Sequence, residues 1–327
     1  MRFTALLTLA GLSTAGAFIT PSSSFRIQRH ESPIAPVKSQ HVIVTPSAHR
    51  SHITRLFMGW GPEPIWSTGF VDSTIQACPS GTCVSLKVQV EDGSGFAVPG
   101  QYVQVRPAGA GDDVKPIFLA IASAPTGTIT AADEAGGEEA APVPATWEFL
   151  VKKTDNNAWL TEGTSSIEIS QPMGGGFPMK ENLEGYKYDF PTQNLLLFAT
   201  GSGIAPIRSA IESGQLNIAP PGSGGRTCTL YYGVRTADDM SYVSKFPEWE
   251  SMGVQVVPVV SQPDLPCETG TVWNGRTGYV QNALEEDGVP IPRNSGALLC
   301  GVKGMCEAVS GMLKSANVFE GRIMTNF

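Results

Sequence analysis

Histidine is almost missing from this chain. The 327 residues contain four, His30, His41, His49 and His52, so nothing beyond the first sixth can use an imidazole. For the rest of the chain that excludes Ser-His-Asp and Cys-His catalysis, histidine-bound metals and the usual acid–base group at neutral pH. Charge is also sparse: 16% of residues are Asp, Glu, Lys or Arg, which rules out a long coiled coil. The net charge of −8 counts against nucleic-acid binding. The apolar run Ala5–Leu12 falls far short of the ~20 residues that span a bilayer, so no transmembrane segment is expected. Six cysteines are too few for a disulfide scaffold in a chain this long.

Glycine and proline, by contrast, are plentiful, at 36 and 25 residues, and favour many turns and short strands. An apolar fraction of 41% argues against general disorder, and the length suggests about two domains.

The first 58 residues differ from the remainder. They carry six basic side chains against the single acid Glu31, which leaves the rest of the chain at −13. Arg2, the apolar run and the small residues Ser13–Ala17 form a signal-peptide layout over residues 1–17, with a cut expected after Ala17. Residues 18–58 are rich in Ser, Pro and basic groups, a transit-like composition. Together they resemble the bipartite plastid presequences of algae with secondary plastids, which implies a plastid (chloroplast) location. Cys78-x4-Cys83 resembles the first pair of a plant-type iron–sulfur site, but Leu86 occupies the next ligand position. The pair therefore reads as two thiols on a surface loop, and no metal site is expected.

The remaining chain has two grammars. From residue 62 to about 186, runs such as Val84–Val90, Gln101–Val105, Trp147–Val151 and Ser166–Ile169 alternate with period two between Gly, Pro and Asp, as in an antiparallel sandwich or small barrel. Residues 131–144 read as a polar hairpin excursion. From about residue 191 to 327, strands alternate with helices, beginning with the apolar run Leu195–Ala199, and give a parallel α/β sheet buried on both faces.

Thr200-Gly201-Ser202-Gly203-Ile204-Ala205-Pro206 joins the first of these strands to a helix. Such a turn lets the backbone approach a ligand, and the free N–H groups of the first helical turn suit a pyrophosphate. Pro206 stands where G-x-G-x-x-G has its third glycine. With "LYYGVRTADDM", "VVPVVSQPD", "GRTGYVQNAL" and "LLCGVKGMCEAV" in order, the chain resembles the pyridine-nucleotide domain of the ferredoxin–NADP reductase family. "VPGQYVQVRP" and "FLAIASAP" resemble that family's flavin domain, an antiparallel six-stranded β-barrel that precedes a Rossmann-like parallel α/β domain.

The resemblance implies binding of FAD and of NADPH or NADH. Thr200, Gly201, Gly203, Ile204 and Pro206 are then expected at the dinucleotide pyrophosphate, and Gly233 and Arg235 at the adenosine ribose, where Arg235 suits a 2′-phosphate. Cys300, with Gly301 and Met305, is expected beside the nicotinamide, and Phe327 on the flavin ring.

The family's Arg-x-Tyr-Ser/Thr flavin signature is not present. In the register set by Ile121-Ala122-Ser123, its three functional positions hold Ile117, Leu119 and Ala120. Lys115 is the nearby cation, a point charge rather than a bidentate fork. The remaining flavin contacts implied are the backbone of Leu119, Ala120 and Ile121, Ser123, the stretch Leu150, Val151 and Lys152, and the glycine turn at Gly175 and Gly176. The activity implied is hydride transfer between nicotinamide and FAD, with electrons passed to an external acceptor, protein or small molecule. The alternative is a redox-inactive nucleotide-binding or regulatory protein that kept the fold. Neither the oligomeric state nor the acceptor is legible.

Overall fold

The structure is a computed structural model. It describes residues 62–111, 113–125, 142–185, 188–220 and 222–326. The expected presequence, residues 131–141 of the expected hairpin excursion, and Phe327 all lie outside the described residues.

The first sheet comprises β1 (Trp66–Gln76), β2 (Cys83–Val90), β3 (Tyr102–Pro107), β4 (Ile117–Ala120), β5 (Ala145–Lys152) and β6 (Ser166–Ser170). Its order is β4-β3-β6-β1-β2-β5, and its paired strands are antiparallel. The two edges nearly meet: Ile121 bridges Phe149, and the Ala122 N–H donates to the Glu148 carbonyl at 2.7 Å. The sheet is therefore an almost closed six-stranded barrel. Alternation along the strands drives this closure, sending Leu86, Val88, Val103, Val105, Phe149, Ile167 and Ile169 into one fully buried core. A one-turn helix, α1 (Ala158–Thr161), plugs that core with Leu160.

A short helix, α2 (Met179–Leu183), leads into β7 (Asn194–Thr200), α3 (Ile204–Glu212), β8 (Thr227–Val234), α4 (Phe246–Met252) and β9 (Val254–Val260). The two-residue β10 (Arg276–Thr277), α5 (Val280–Asp287), β11 (Ser295–Cys300), α6 (Lys303–Ser315) and β12 (Ile323–Thr325) complete the chain. The order is β10-β9-β8-β7-β11-β12, parallel throughout.

The central strand β7 shows why an unbroken apolar run was needed. Leu195, Leu197 and Ala199 join the core under α3 and α4, while Leu196 and Phe198 join the core under α5 and α6. A strand covered on both faces has no polar side to alternate with. β9 ends at Val260, and α6 begins at Lys303, two residues ahead of Met305. Ser244 and Lys245 lie in a 3-10 turn ahead of α4, where Pro247 supports the helix start.

The main difference from expectation lies at Cys78 and Cys83. Both thiols are buried rather than on a surface loop. The β1–β2 turn folds against the parallel domain: the Ser80 N–H donates to the Asp238 carbonyl at 2.9 Å, and the Ser80 and Thr82 hydroxyls donate to Asp239 Oδ1 at 2.8 and 3.2 Å. Short-range pattern reports turns well but says nothing about which distant surface will cover them.

Candidate functional site

A cavity of about 1000 Å³ lies where the barrel meets the C-terminal ends of the parallel strands, the position at which open α/β sheets bind ligands. On the barrel side its lining is Ile117–Ala120, Leu150–Lys152, Asn157, Thr82 and Cys83. Opposite stand the turns after four parallel strands: Thr200–Gly203 with Ala205 and Pro206, Gly233–Arg235, Ser261, and Cys300–Val302 with Met305. Residues 278–281, ahead of and entering α5, close the rim.

The turns after β7 and β11 are pressed together. A Cβ on Gly203 would lie 2.4 Å from the Cys300 carbonyl oxygen, and one on Gly301, at φ +147°, would lie 2.0 Å from Thr200 Oγ1. That hydroxyl accepts the Val302 N–H at 3.0 Å. Gly201 is different. At φ +54°, a Cβ there would meet nothing within 4 Å, so the backbone is bare on the cavity side and open to a ligand. The start of α3 above it lines the same cavity through Ala205 and Pro206, with the Ile204 N–H turned back onto the Gly201 and Ser202 carbonyls. These residues fit a dinucleotide.

Cys300 is partly buried, and its thiol lies 3.8 Å from the Asn326 carbonyl. Burial pushes the thiol up to about 12, so it stays neutral at physiological pH. Arg235 is 64% exposed at the rim, with Asp239 Oδ2 3.7 Å away.

The barrel wall offers mostly main chain. Alternation along β4 turns Leu119 into the barrel core and leaves Phe118 exposed, leaning on Tyr102 at 5.7 Å between ring centroids. The aromatic face on the barrel side of the cavity is therefore that of Phe118, one residue from where the family pattern puts its tyrosine. Among the lining residues the cations are Lys152 and Arg235.

The barrel is joined to the parallel domain by a buried charge cluster. Arg208 on α3 donates to Glu148 on β5 at 2.6 Å and to Glu212 at 3.0 Å, with its guanidinium over the Tyr242 ring. Burial pushes the Glu148 carboxyl up, but Arg208 and then Lys87 outweigh it and hold it below the usual carboxylate range.

Residues 197–311 match the oxidoreductase NAD-binding domain family. The "Fruit protein pKIWI502" of Actinidia deliciosa is 32% identical over 238 residues, covering 70% of this chain and 66% of that protein. One component of the Na(+)-translocating NADH-quinone reductase of Psychrobacter arcticus is 28% identical over 185 residues, which are 55% of this chain and 38% of that component. A ferredoxin NADP+ reductase from Neisseria gonorrhoeae, solved with FAD and NADP, superposes with a TM-score of 0.59 at 15% identity, covering 81% of this chain and all (100%) of that one. A cytochrome P450 reductase from Amycolatopsis gives a TM-score of 0.59 at 21% identity, over 81% of this chain and 70% of that one. Residues 197–311 thus belong to the oxidoreductase NAD-binding domain family, and the chain has the two-domain fold of the ferredoxin NADP+ reductase. It spans about two thirds of the kiwifruit protein and about two fifths of the bacterial component.

Of the residues that the family resemblance singled out, the cavity gathers Leu119, Ala120, Leu150, Val151, Lys152, Thr200, Gly201, Gly203, Pro206, Gly233, Arg235, Cys300, Gly301 and Met305. Six others lie away from its lining. Ile121 and Ile204 are fully buried in the cores, and the Ser123 hydroxyl accepts the Glu148 N–H at 3.2 Å. Gly175 is also away from the lining, and Gly176 packs where a Cβ would meet the Pro99 carbonyl at 2.6 Å. Lys115 is exposed. The structure adds Phe118, Asn157 and Tyr279 to the lining. Tyr279 sits within the "GRTGYVQNAL" motif and Phe118 opens "FLAIASAP", so a signal for both existed.

Proposed function

We propose that this protein is a flavin-dependent NAD(P)H oxidoreductase that passes electrons to an external acceptor. The observation that carries this reading is the shared cavity, with a main-chain barrel wall on one side and a phosphate-type glycine turn facing it. When bound, flavin and nicotinamide supply the hydride chemistry, which needs no histidine.

The chain's own contribution is positioning. Gly201 and the turn it opens bind an anion through the backbone, and the contact of Gly203 and Gly301 sets the floor beneath it. Leu150–Lys152 and Leu119–Ala120 hold the second ligand by its edge through their main chain, with Phe118 as an aromatic face and Lys152 as the cation toward a diphosphate. Cys300, kept neutral by burial, packs beside the reacting edge and moves no proton. Arg235 favours a 2′-phosphate and therefore NADPH.

The test is spectroscopic. Purified full-length protein, loaded with FAD, is expected to show a flavin absorbance that bleaches anaerobically with NADPH. Protein that takes up neither FAD nor FMN would defeat the reading. It would favour the second one, a redox-inactive nucleotide-binding protein, which the lack of any cationic side chain from Ile117 to Ala120 supports.

The basic, acid-poor first 58 residues support a plastid address. A reporter fused to them is expected in the plastid; retention in the secretory route would refute this. Among the described residues no helix is long and apolar enough to cross a membrane.

A further inference from the structure

The ion pair between Arg208 and Glu148 stands directly behind both walls of the cavity. Glu148 lies two residues before Leu150 on β5, so period two puts both side chains on the outward face of the barrel. Leu150 joins the core of the parallel domain with Ala205, and both residues line the cavity. Arg208 lies three residues after Ala205 on α3, on the same helix face. The pair therefore sits one step back from the cavity, behind Leu150 on one side and Ala205 on the other.

Each partner is gripped from its own domain. The main chain of Glu148 is the closing seam of the barrel: its N–H donates to Ser123 Oγ at 3.2 Å, and its carbonyl accepts the Ala122 N–H at 2.7 Å. Ala122 and Ser123 continue the chain from the lining residues Ile117–Ala120, so Glu148 ties together both barrel segments that face the cavity. On the other side Arg208 Nε donates to both Glu212 oxygens, at 3.0 and 3.1 Å. Glu212 also accepts the Trp249 Nε1–H at 3.2 Å. The Tyr242 ring covers the guanidinium, 4.7 Å from its centroid, with Tyr242 at φ +60°, a left-handed backbone that a bulky residue rarely adopts. Arg208 is 6% exposed and held on three sides.

We propose that Glu148 and Arg208 are a positioning pair for hydride transfer, fixing the main-chain wall of the barrel against the glycine turn that opens α3. Neither residue lines the cavity, so neither touches a ligand. The inference rests on the flavin–nicotinamide reading. Ligands held on opposite walls react only while the walls keep their spacing, and a displacement of about 1 Å can cost roughly a hundredfold in rate. The same link transmits in the other direction: a nucleotide that stiffens the turn is felt at the barrel seam.

The first readout needs no flavin. Amide hydrogen exchange of the full-length protein is followed with and without saturating NADP+, at residues 121–123 and 145–149, none of which lines the cavity. In the wild type NADP+ is expected to slow exchange there at least about threefold. Glu148→Gln removes only the charge, and Arg208→Lys cannot reach Glu148 and Glu212 together as the guanidinium does. In both variants NADP+ is expected to protect residues 200–206 as before and to leave the seam unprotected. With FAD added, the limiting rate of anaerobic flavin reduction by NADPH is expected to fall at least about tenfold in both, with the apparent Kd within about twofold of the wild type. A purely stabilising pair would move the denaturation midpoint and leave both readouts in place.

An unprotected seam in the wild type would overturn the proposal, and that result requires no variant to fold. Wild-type seam protection and limiting rates in both variants would also overturn it. The flavin–nicotinamide reading fails differently, through a wild type that takes up no flavin or is not reduced, and that outcome removes the hydride role as well.

Discussion

The two walls of the central cavity are built on opposite principles. The parallel-sheet wall is made of turns that at two points leave no room for a side chain: Gly203 and Gly301 lie where a Cβ would collide with the neighbouring turn. The barrel wall is made of strand edges, and its side chains alternate away, with Leu119 buried inside and Phe118 turned out. A wall of turns writes itself in residue identity at such points, because only glycine fits there. A wall of strand edges presents the same main-chain N–H and C=O groups whatever residues occupy it. The barrel side can therefore lack Arg and Tyr at the family positions and still offer hydrogen bonds.

Substitutions that separate these walls should range from severe to slight. Gly203→Val should be the most damaging, since its Cβ would lie 2.4 Å from the Cys300 carbonyl with only backbone to yield. A loss of about 3 kcal/mol is expected in chemical denaturation, together with nucleotide binding. Leu119→Val on the other wall should cost only about 1 kcal/mol, because the main chain does the work there. Equal losses would dissolve the contrast.

Next in size is the link between the domains. Arg208→Met leaves the half-buried Glu148 carboxylate without its main partner, with Lys87 still beside it, and should cost about 2 kcal/mol by the same measurement. The pH dependence has a definite sign. Glu148 is held below its ordinary pKa in the fold, so its contribution is present above the ordinary carboxylate range and is lost as pH falls through the depressed value. Glu148→Gln should therefore lose stability at neutral pH and flatten the acid limb of a stability–pH curve. An unchanged limb would show that the pair does not hold the domains.

A smaller effect is expected at the rim. Arg235→Ala should weaken NADPH binding about tenfold and leave NADH nearly unchanged, as measured by competitive titration. Equal effects on both would remove its role at the 2′-phosphate. The slightest is at Cys300. Because burial holds its thiol up at about 12, Cys300→Ser should leave the pH profile of hydride transfer without any new or lost ionisation between about pH 6 and pH 9. A step that disappears with the thiol would contradict a purely positioning role.

Much of this molecule could be read along the chain. The strand–turn–helix punctuation at β7 and α3, the Cys300-Gly301 turn and the change from period two to alternating strands and helices are local signals. They survive in sequence because steric limits on glycine and the burial of β7 on both faces restrict which residues fit. The glycine-rich segment at Gly175 and Gly176 carries the same local mark as Gly201, yet it lies off the cavity and packs against Pro99. A tight turn looks alike in sequence whether it faces a ligand or another strand.

Local pattern was thus enough for fold class and for the phosphate-type turn, because sterics and hydrophobic periodicity act between residues close in the chain. Three things waited for the assembled fold: the exposed Phe118 ring beside the buried Leu119 side chain, the Arg208–Glu148 clasp, and the burial of Cys78 and Cys83 under the parallel domain. Each depends on which surface, far along the chain, comes to rest against the residue; Glu148 and Arg208 are 60 positions apart, Ser80 and Asp239 159. Contact over that separation is set by packing two cores together, and no spacing along the chain encodes it.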